Sequence, residues 1–197
     1  MATNRFQTRE DWLAQAVAEL RPVFSALGHP LPDNIRVACG FPSSNARSAL
    51  KRALGEHWSA KASADQHHEI LISPVVDDPV RVLGILVHEL SHAATDGDGH
   101  KGRFPALVRS LSLEGKPTAT VEGEAFKQEY AALLDDLGVY PHAKLNAGVN
   151  RKVQGTRMLK ACCPVCRYTV RLTAKWAAIG LPECPAPNHP PQSLVLS

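Results

Sequence analysis

The chain has 197 residues, 44% of them hydrophobic and 21% charged, enough apolar material for one domain plus a small second one and too much for compositional disorder. No apolar run approaches the roughly 18–20 residues that span a bilayer, and the start MATNRFQTREDW lacks the apolar stretch of a secretory signal, so a soluble cytoplasmic protein is expected. The net charge of +3 hides a stretch from Leu137 to Pro182 with eight Lys/Arg and no acid, against a remainder of 14 basic and 19 acidic residues. A basic segment on an acidic body points to a polyanionic partner, nucleic acid first.

In chain order, Leu13, Ala16, Val17, Leu20, Phe24 and Leu27 follow the spacing of an amphipathic helix. Thr8 and Asp11 are placed as a capping box, and Pro22 should kink the helix or end it early. Ile35–Cys39 reads as a short strand. A second helix is expected from Ser43 to about Gly55, with Ala46, Ala49, Leu50, Ala53 and Leu54 inward. Glu69–Ser73 is β-rich and stopped by Pro74. Asp78 then caps a helix with Pro79 at its first position, running through His92 and stopping near Gly97. A further helix follows Gly102, with Phe104, Leu107, Val108 and Leu111 on one stripe. Another begins near Val121, with Phe126, Tyr130, Leu133, Leu134 and Leu137 facing in. The periodicity fades from Asn146 to Thr156, and the last forty residues hold three short β-like runs.

The chemistry concentrates at His88-Glu89-Leu90-Ser91-His92. At about 100° per residue, His92 lies roughly 40° around the helix from His88 and one turn along, so two imidazoles can hold one Zn²⁺. Glu89 shares their sector, while Leu83, Leu86, Leu90, Ala93 and Ala94 take the opposite one. A helix apolar nearly all round is buried, and a buried carboxylate needs a partner or a task. A catalytic zinc needs a third protein ligand and one open position. His100 is the first candidate, because Gly97, Gly99 and Gly102 let the chain turn back; Asp96 and Asp98 are the alternatives. His29, His57, His67, His68 and His142 have no such spacing and are read as surface residues.

These residues resemble a family. HELSH followed by His100-Lys-Gly-Arg-Phe104 is similar to the His-Glu-x-x-His…His-Gly-x-x-Phe pattern of the SprT-like zinc metallopeptidases, zincins related to SprT and Spartan, with Lys101 inserted between His and Gly. The flanking EILISPVVDDPVRVLG and FPALVRSLSLEGKPTATVEG look like a bacterial and phage branch of it. The resemblance covers about residues 35–125 plus the cysteine tail. It implies a zinc-dependent endopeptidase in which a strand before the active helix aligns an extended peptide, here Glu69–Ser73. In such a site zinc polarises the scissile carbonyl while Glu89 moves the proton. Tyr130 and Tyr140 are the candidates for stabilising the oxyanion.

Four of the five cysteines lie in the last 36 residues, a pattern that reads as metal ligation rather than a disulfide framework. Cys163-Pro-Val-Cys166 is a knuckle, and Cys184 and His189 complete a Cys3His set as in zinc ribbons, which many SprT-like proteins also carry. Cys162 is the alternative to Cys163, and Cys39 is read as packed in the core. A forty-residue module has too little core to stand alone, so a structural metal would supply the missing free energy. Trp176 is assigned to that small core and Tyr168 to either core or surface.

The expected protein is therefore α+β: a zincin-like domain over 1–140, a basic linker over 141–157 and a zinc ribbon over 158–197. The expected function is hydrolysis of peptide bonds, with DNA-associated proteins as substrates. Glu89 is catalytic, His88, His92 and His100 hold a catalytic zinc, and Cys163, Cys166, Cys184 and His189 hold a structural one. Arg151, Lys152, Arg157, Lys160, Arg167, Arg171 and Lys175 are the nucleic-acid candidates. Expected partners are a protein or peptide substrate and DNA, with no membrane and with the nucleoid as a candidate location. The rivals are a transcription-linked nucleic-acid-binding accessory factor with a structural zincin domain, and a hydrolase of a non-peptide amide.

Overall fold

The computed structural model describes residues 5–43, 45, 52–149 and 158–197. The chain is α+β and divides into two units, residues 1–149 and 150–197. Among the described residues no helix is long and apolar enough to cross a membrane.

The first unit opens with α1 (Arg9–Ala26), whose Thr8 hydroxyl accepts from the Asp11 amide at 3.1 Å. Trp12, Leu13, Ala16, Leu20 and Phe24 are fully buried along its inner stripe. The helix runs through Pro22 instead of ending there. Burial of Phe24 beyond the proline offsets the lost hydrogen bond.

A three-stranded sheet follows. Strand β1 (Ile35–Cys39) lies parallel to β3 (His68–Ile72), and β2 (Gly55–Trp58) lies antiparallel to the other side of β3. The strand predicted to align a substrate is thus the central one, with both edges already hydrogen-bonded. Among the described residues, β1 and β2 each keep one edge without a partner strand, and of the two it is β2 whose Gly55, Glu56 and His57 line the cleft beside α2. The helix expected over Ser43–Gly55 falls largely on residues 44 and 46–51, outside the described residues; Arg52–Leu54 are not helical, and Gly55 opens a strand.

Helix α2 (Pro79–Ala94) is the central element. Asp78 caps it by accepting from the Arg81 amide at 2.8 Å, with Pro79 at the first turn. Leu83, Leu86 and Leu90 are fully buried against α1, β3 and α3 (Phe104–Ser110) in one core with Ile70, Ile72, Leu107 and Phe126. The next stretch departs from the expected pattern. Leu113–Lys116 (β4) and Ala119–Glu122 (β5) form a hairpin, so Val121 is a strand residue and the following helices are α4 (Glu124–Glu129) and α5 (Ala131–Leu137). Lys116-Pro117-Thr118 supplies the turn, and Thr120 is buried between exposed Ala119 and Val121, the alternation of a one-sided strand. Arg9 is buried and donates to the carbonyls of Pro141 (3.0 Å) and Ala143 (3.0 Å), which ties the chain after α5 back to the start of α1.

The second unit pairs β6 (Leu159–Cys162) with β7 (Thr169–Leu172) and with β8 (Val195–Leu196). The three β-like runs of the sequence are these strands; the short helix α6 (Ala174–Ile179) between them carries Trp176 into solvent, 57% exposed, rather than into the core. That core is Ala161, Cys163, Cys184 and Leu194. Half of it is thiol.

Candidate metal centres

Helix α2 presents His88 and His92 one turn apart, and a glycine-rich loop returns His100 to them. Gly97, Gly99 and Gly102 all have positive φ, +92°, +57° and +55°, a region open to glycine at no steric cost. The loop is held by Asp98, whose Oδ2 accepts from both the amide and the Nε of Arg103 at 2.9 Å. One ring nitrogen from each of His88, His92 and His100 lies within 4.8 Å of the others. The alternative ligands are engaged elsewhere: Asp98 by Arg103, and Asp96 by the Ser59 hydroxyl at 3.0 Å. Phe104, fully buried, touches all three rings and stacks on His92 at 4.2 Å between centroids.

The donor set fits a cation. Burial and the neighbouring imidazoles push His88 down to about 4 and His92 to about 3, and burial lowers His100. All three are therefore neutral at pH 7, with lone pairs available for a metal. Three neutral nitrogens and no anionic ligand match an open tetrahedral zinc site more closely than an oxygen-rich calcium or magnesium site.

Glu89 sits beside them. It is buried, and desolvation followed by the charge of Glu56 pushes its carboxyl up to about 8. Its room is made by Gly55: a Cβ there would lie 2.4 Å from Glu89 Oε1 and 2.6 Å from Ile85. These side chains face a cleft of about 510 Å³ with α2 as its floor, Gly55–His57 on one wall and Thr118–Glu122 of the hairpin on the other.

Three residues at this cleft or in contact with its lining escaped sequence reasoning: His57 and Thr120 line it, and His68 touches His57. His57 is half-buried on β2, with its Nε2 2.9 Å from Nδ1 of His68 and its ring parallel to that of His92 at 6.2 Å. His68 is buried. Neither is the surface histidine that spacing implied, and no local pattern links residues on separate strands. The third is Thr120, whose Oγ1 lies 2.9 Å from His88 Nδ1. Tyr130 and Tyr140, by contrast, are buried away from the cleft.

In the second unit, Cys163, Cys166, Cys184 and His189 bring their sulfur and nitrogen atoms within 4.8 Å of one another. Cys163 Sγ lies 3.5 Å from His189 Nε2, and Cys166 Sγ lies 3.4 Å from Cys184 Sγ. The His189 Nδ1–H donates to the Pro190 carbonyl at 2.7 Å, which leaves Nε2 for a metal. Cys162 points instead to the Ser197 hydroxyl at 3.1 Å, and Cys39 is half-buried beside Arg9 in the first unit. The closed thiolate set fits a structural zinc. Burial pushes the Cys184 thiol up to about 11, so a cation is the natural compensation for packing these sulfurs together.

Lys160, Arg167, Arg171 and Lys175 are exposed on this unit; Arg151, Lys152 and Arg157 lie outside the described residues. Lys160 and Arg171 are directly opposite across β6 and β7, a like-charge pairing that disfavours the sheet by itself. Tyr168 and Trp176 are exposed, with Lys175 over the Trp176 ring at 5.3 Å. No family model, curated protein or solved structure matches this chain.

Proposed function

We propose that this protein is a zinc-dependent peptidase of the SprT-like, zincin type, whose second unit is a zinc ribbon that brings it to nucleic acid. The observation that carries the reading is Glu89: a buried carboxyl beside three neutral histidines, at the floor of an open cleft. A structural metal site has no use for such a neighbour.

When bound, zinc would be held by His88, His92 and His100 and would supply an electrophile for the scissile carbonyl and a more acidic water. Glu89, as the carboxylate that a neighbouring cation favours, takes the proton of the attacking water and hands it to the leaving amine. The free edge of β2 offers main-chain groups to an extended peptide, in place of the central strand first expected to do so. His57, on the same wall, is the group best placed to meet a developing oxyanion, a role that the two buried tyrosines cannot fill. The cross-strand Lys160–Arg171 pair and the exposed Tyr168 and Trp176 support the nucleic-acid reading, since phosphates would relieve the repulsion and bases stack on aromatics.

The test is Glu89→Gln in zinc-loaded protein, assayed on an unfolded protein such as casein and for self-cleavage, with and without DNA. The amide keeps the shape but cannot accept the proton, so zinc should stay bound while the rate falls about 10²–10⁴-fold. Near wild-type cleavage by this variant would exclude Glu89 as the base. DNA binding without any hydrolysis by the wild type would favour the accessory factor.

A further inference from the structure

The hairpin β4–β5 supplies none of the three clustered ring nitrogens, yet it makes a polar contact with one of the histidines that carry them. Thr120 is buried on β5, and its Oγ1 is 2.9 Å from Nδ1 of His88. The hairpin is seated closely on α2. A Cβ at Gly84, one turn before His88, would lie 1.9 Å from Glu122 Oε1, and Glu122 is itself held by Arg81 through both carboxylate oxygens at 2.8 and 3.0 Å. The position of Thr120 is therefore fixed by an ion pair and a glycine contact, independently of any metal.

A neutral imidazole carries one proton, and the nitrogen that ligates must be the bare one. His88 has Thr120 at Nδ1, so Nε2 is the nitrogen left for the cluster with His92 and His100. The geometry points to Thr120 as the positioning residue of the catalytic metal site: its hydroxyl accepts the Nδ1–H of His88, locks that tautomer and holds the ring with Nε2 towards the metal. Partners of this kind at a ligand's far nitrogen typically contribute about 10–100-fold in metal affinity. His189 in the second unit is held in the same way, by the Pro190 carbonyl. The inference rests on the reading of His88, His92 and His100 as a zinc site, and it concerns affinity rather than hydrolysis.

The experiment is a chelator-competition titration of zinc on the full-length protein, with Thr120→Val and Thr120→Ser alongside. His92→Ala identifies which of the two equivalents belongs to the histidine site. Valine keeps the branched shape and removes the acceptor; serine keeps the acceptor and removes the methyl group. Thr120→Val should weaken the histidine site about 10–100-fold and leave the cysteine site unchanged, while Thr120→Ser should stay close to wild type. Unchanged affinity in Thr120→Val, or an equal loss in Thr120→Ser, would overturn the hydroxyl's role. Absence of zinc from the histidine site of the wild type would instead overturn the metal assignment itself. Nitrogen-15 NMR of zinc-loaded wild type gives an answer that does not depend on a variant folding. A proton on His88 Nδ1 is expected, and one on Nε2 sinks the proposal.

Discussion

Glu89 and the three histidines pull the stability of the metal-free protein in opposite directions with pH. Glu89 titrates at about 8 in the folded chain against 4.5 for the free group. The folded state keeps a proton that the unfolded chain releases, so this residue opposes folding increasingly from about pH 4.5 up to 8. His88 and His92, at about 4 and 3 against 6.5, act the other way. The unfolded chain takes up their protons first, so their stabilising share is lost as pH falls below 6.5. Metal-free Glu89→Gln should therefore melt above metal-free wild type at pH 8, with the gap narrowing towards pH 5. A gap independent of pH in thermal denaturation would mean that Glu89 is ionised in the fold. A second expectation concerns His92→Ala, which should lose one of two zinc equivalents by elemental analysis and keep the cysteine site. Loss of both would merge the two sites.

At the scale of elements, the wall of the cleft depends on a residue without a side chain. Gly55→Ala places a methyl group 2.4 Å from Glu89 Oε1 and 2.6 Å from Ile85, so β2 or the carboxylate must move. Hydrolysis should drop by about 10²-fold, the usual result of a small displacement of reacting groups, with zinc content unchanged. Near wild-type activity would mean that β2 gives way freely. Helix α1 offers a test in the other direction. Pro22 interrupts its hydrogen bonding without ending it, so Pro22→Ala should stabilise the first unit by about 1–3 kcal/mol in denaturant titration. The elements that sequence patterning located, α1, β1, β3, α2 and α3, are those with a continuous apolar stripe or a cap. The hairpin was missed because β4 turns in a single apolar residue, Leu113, and the inward residues of β5, Thr120 and Glu122, are polar, so hydrophobic periodicity has little to register there.

For the whole molecule, the two units differ in how they are held. The first has a core of large side chains such as Trp12, Phe24, Phe104 and Phe126; the core of the second, among the described residues, is four small or medium side chains, two of them cysteines. Cys184→Ser, or removal of zinc by a chelator, should unfold residues 158–197 while the first unit keeps its cooperative melting transition. Intact signals from β6–β8 in the metal-free protein would show that the small core suffices. The charge is divided along the chain as well, and nucleic-acid affinity should follow the stretch from Leu137 to Pro182. The logarithm of affinity is expected to fall with the logarithm of salt at a slope of about three to five, since each phosphate contact contributes about 0.7–0.9. Truncation at Gly138 should abolish binding. Binding that survives truncation or ignores salt would move the role to the first unit.

By itself the sequence determined the chemistry that is local along the chain. Spacing on one helix places His88, Glu89 and His92 in a common sector, glycines at three positions allow His100 to return, and the cysteine spacing assembles the second cluster. These follow from helix pitch and backbone freedom, which act over a few residues. Only the tertiary structure decided which open-edged strand lines the cleft, because sheet order depends on pairings between residues far apart in sequence. The same holds for the residues that surround the histidines. Gly55, His57 and Thr120 reach them from β2 and β5, by packing that no single segment encodes.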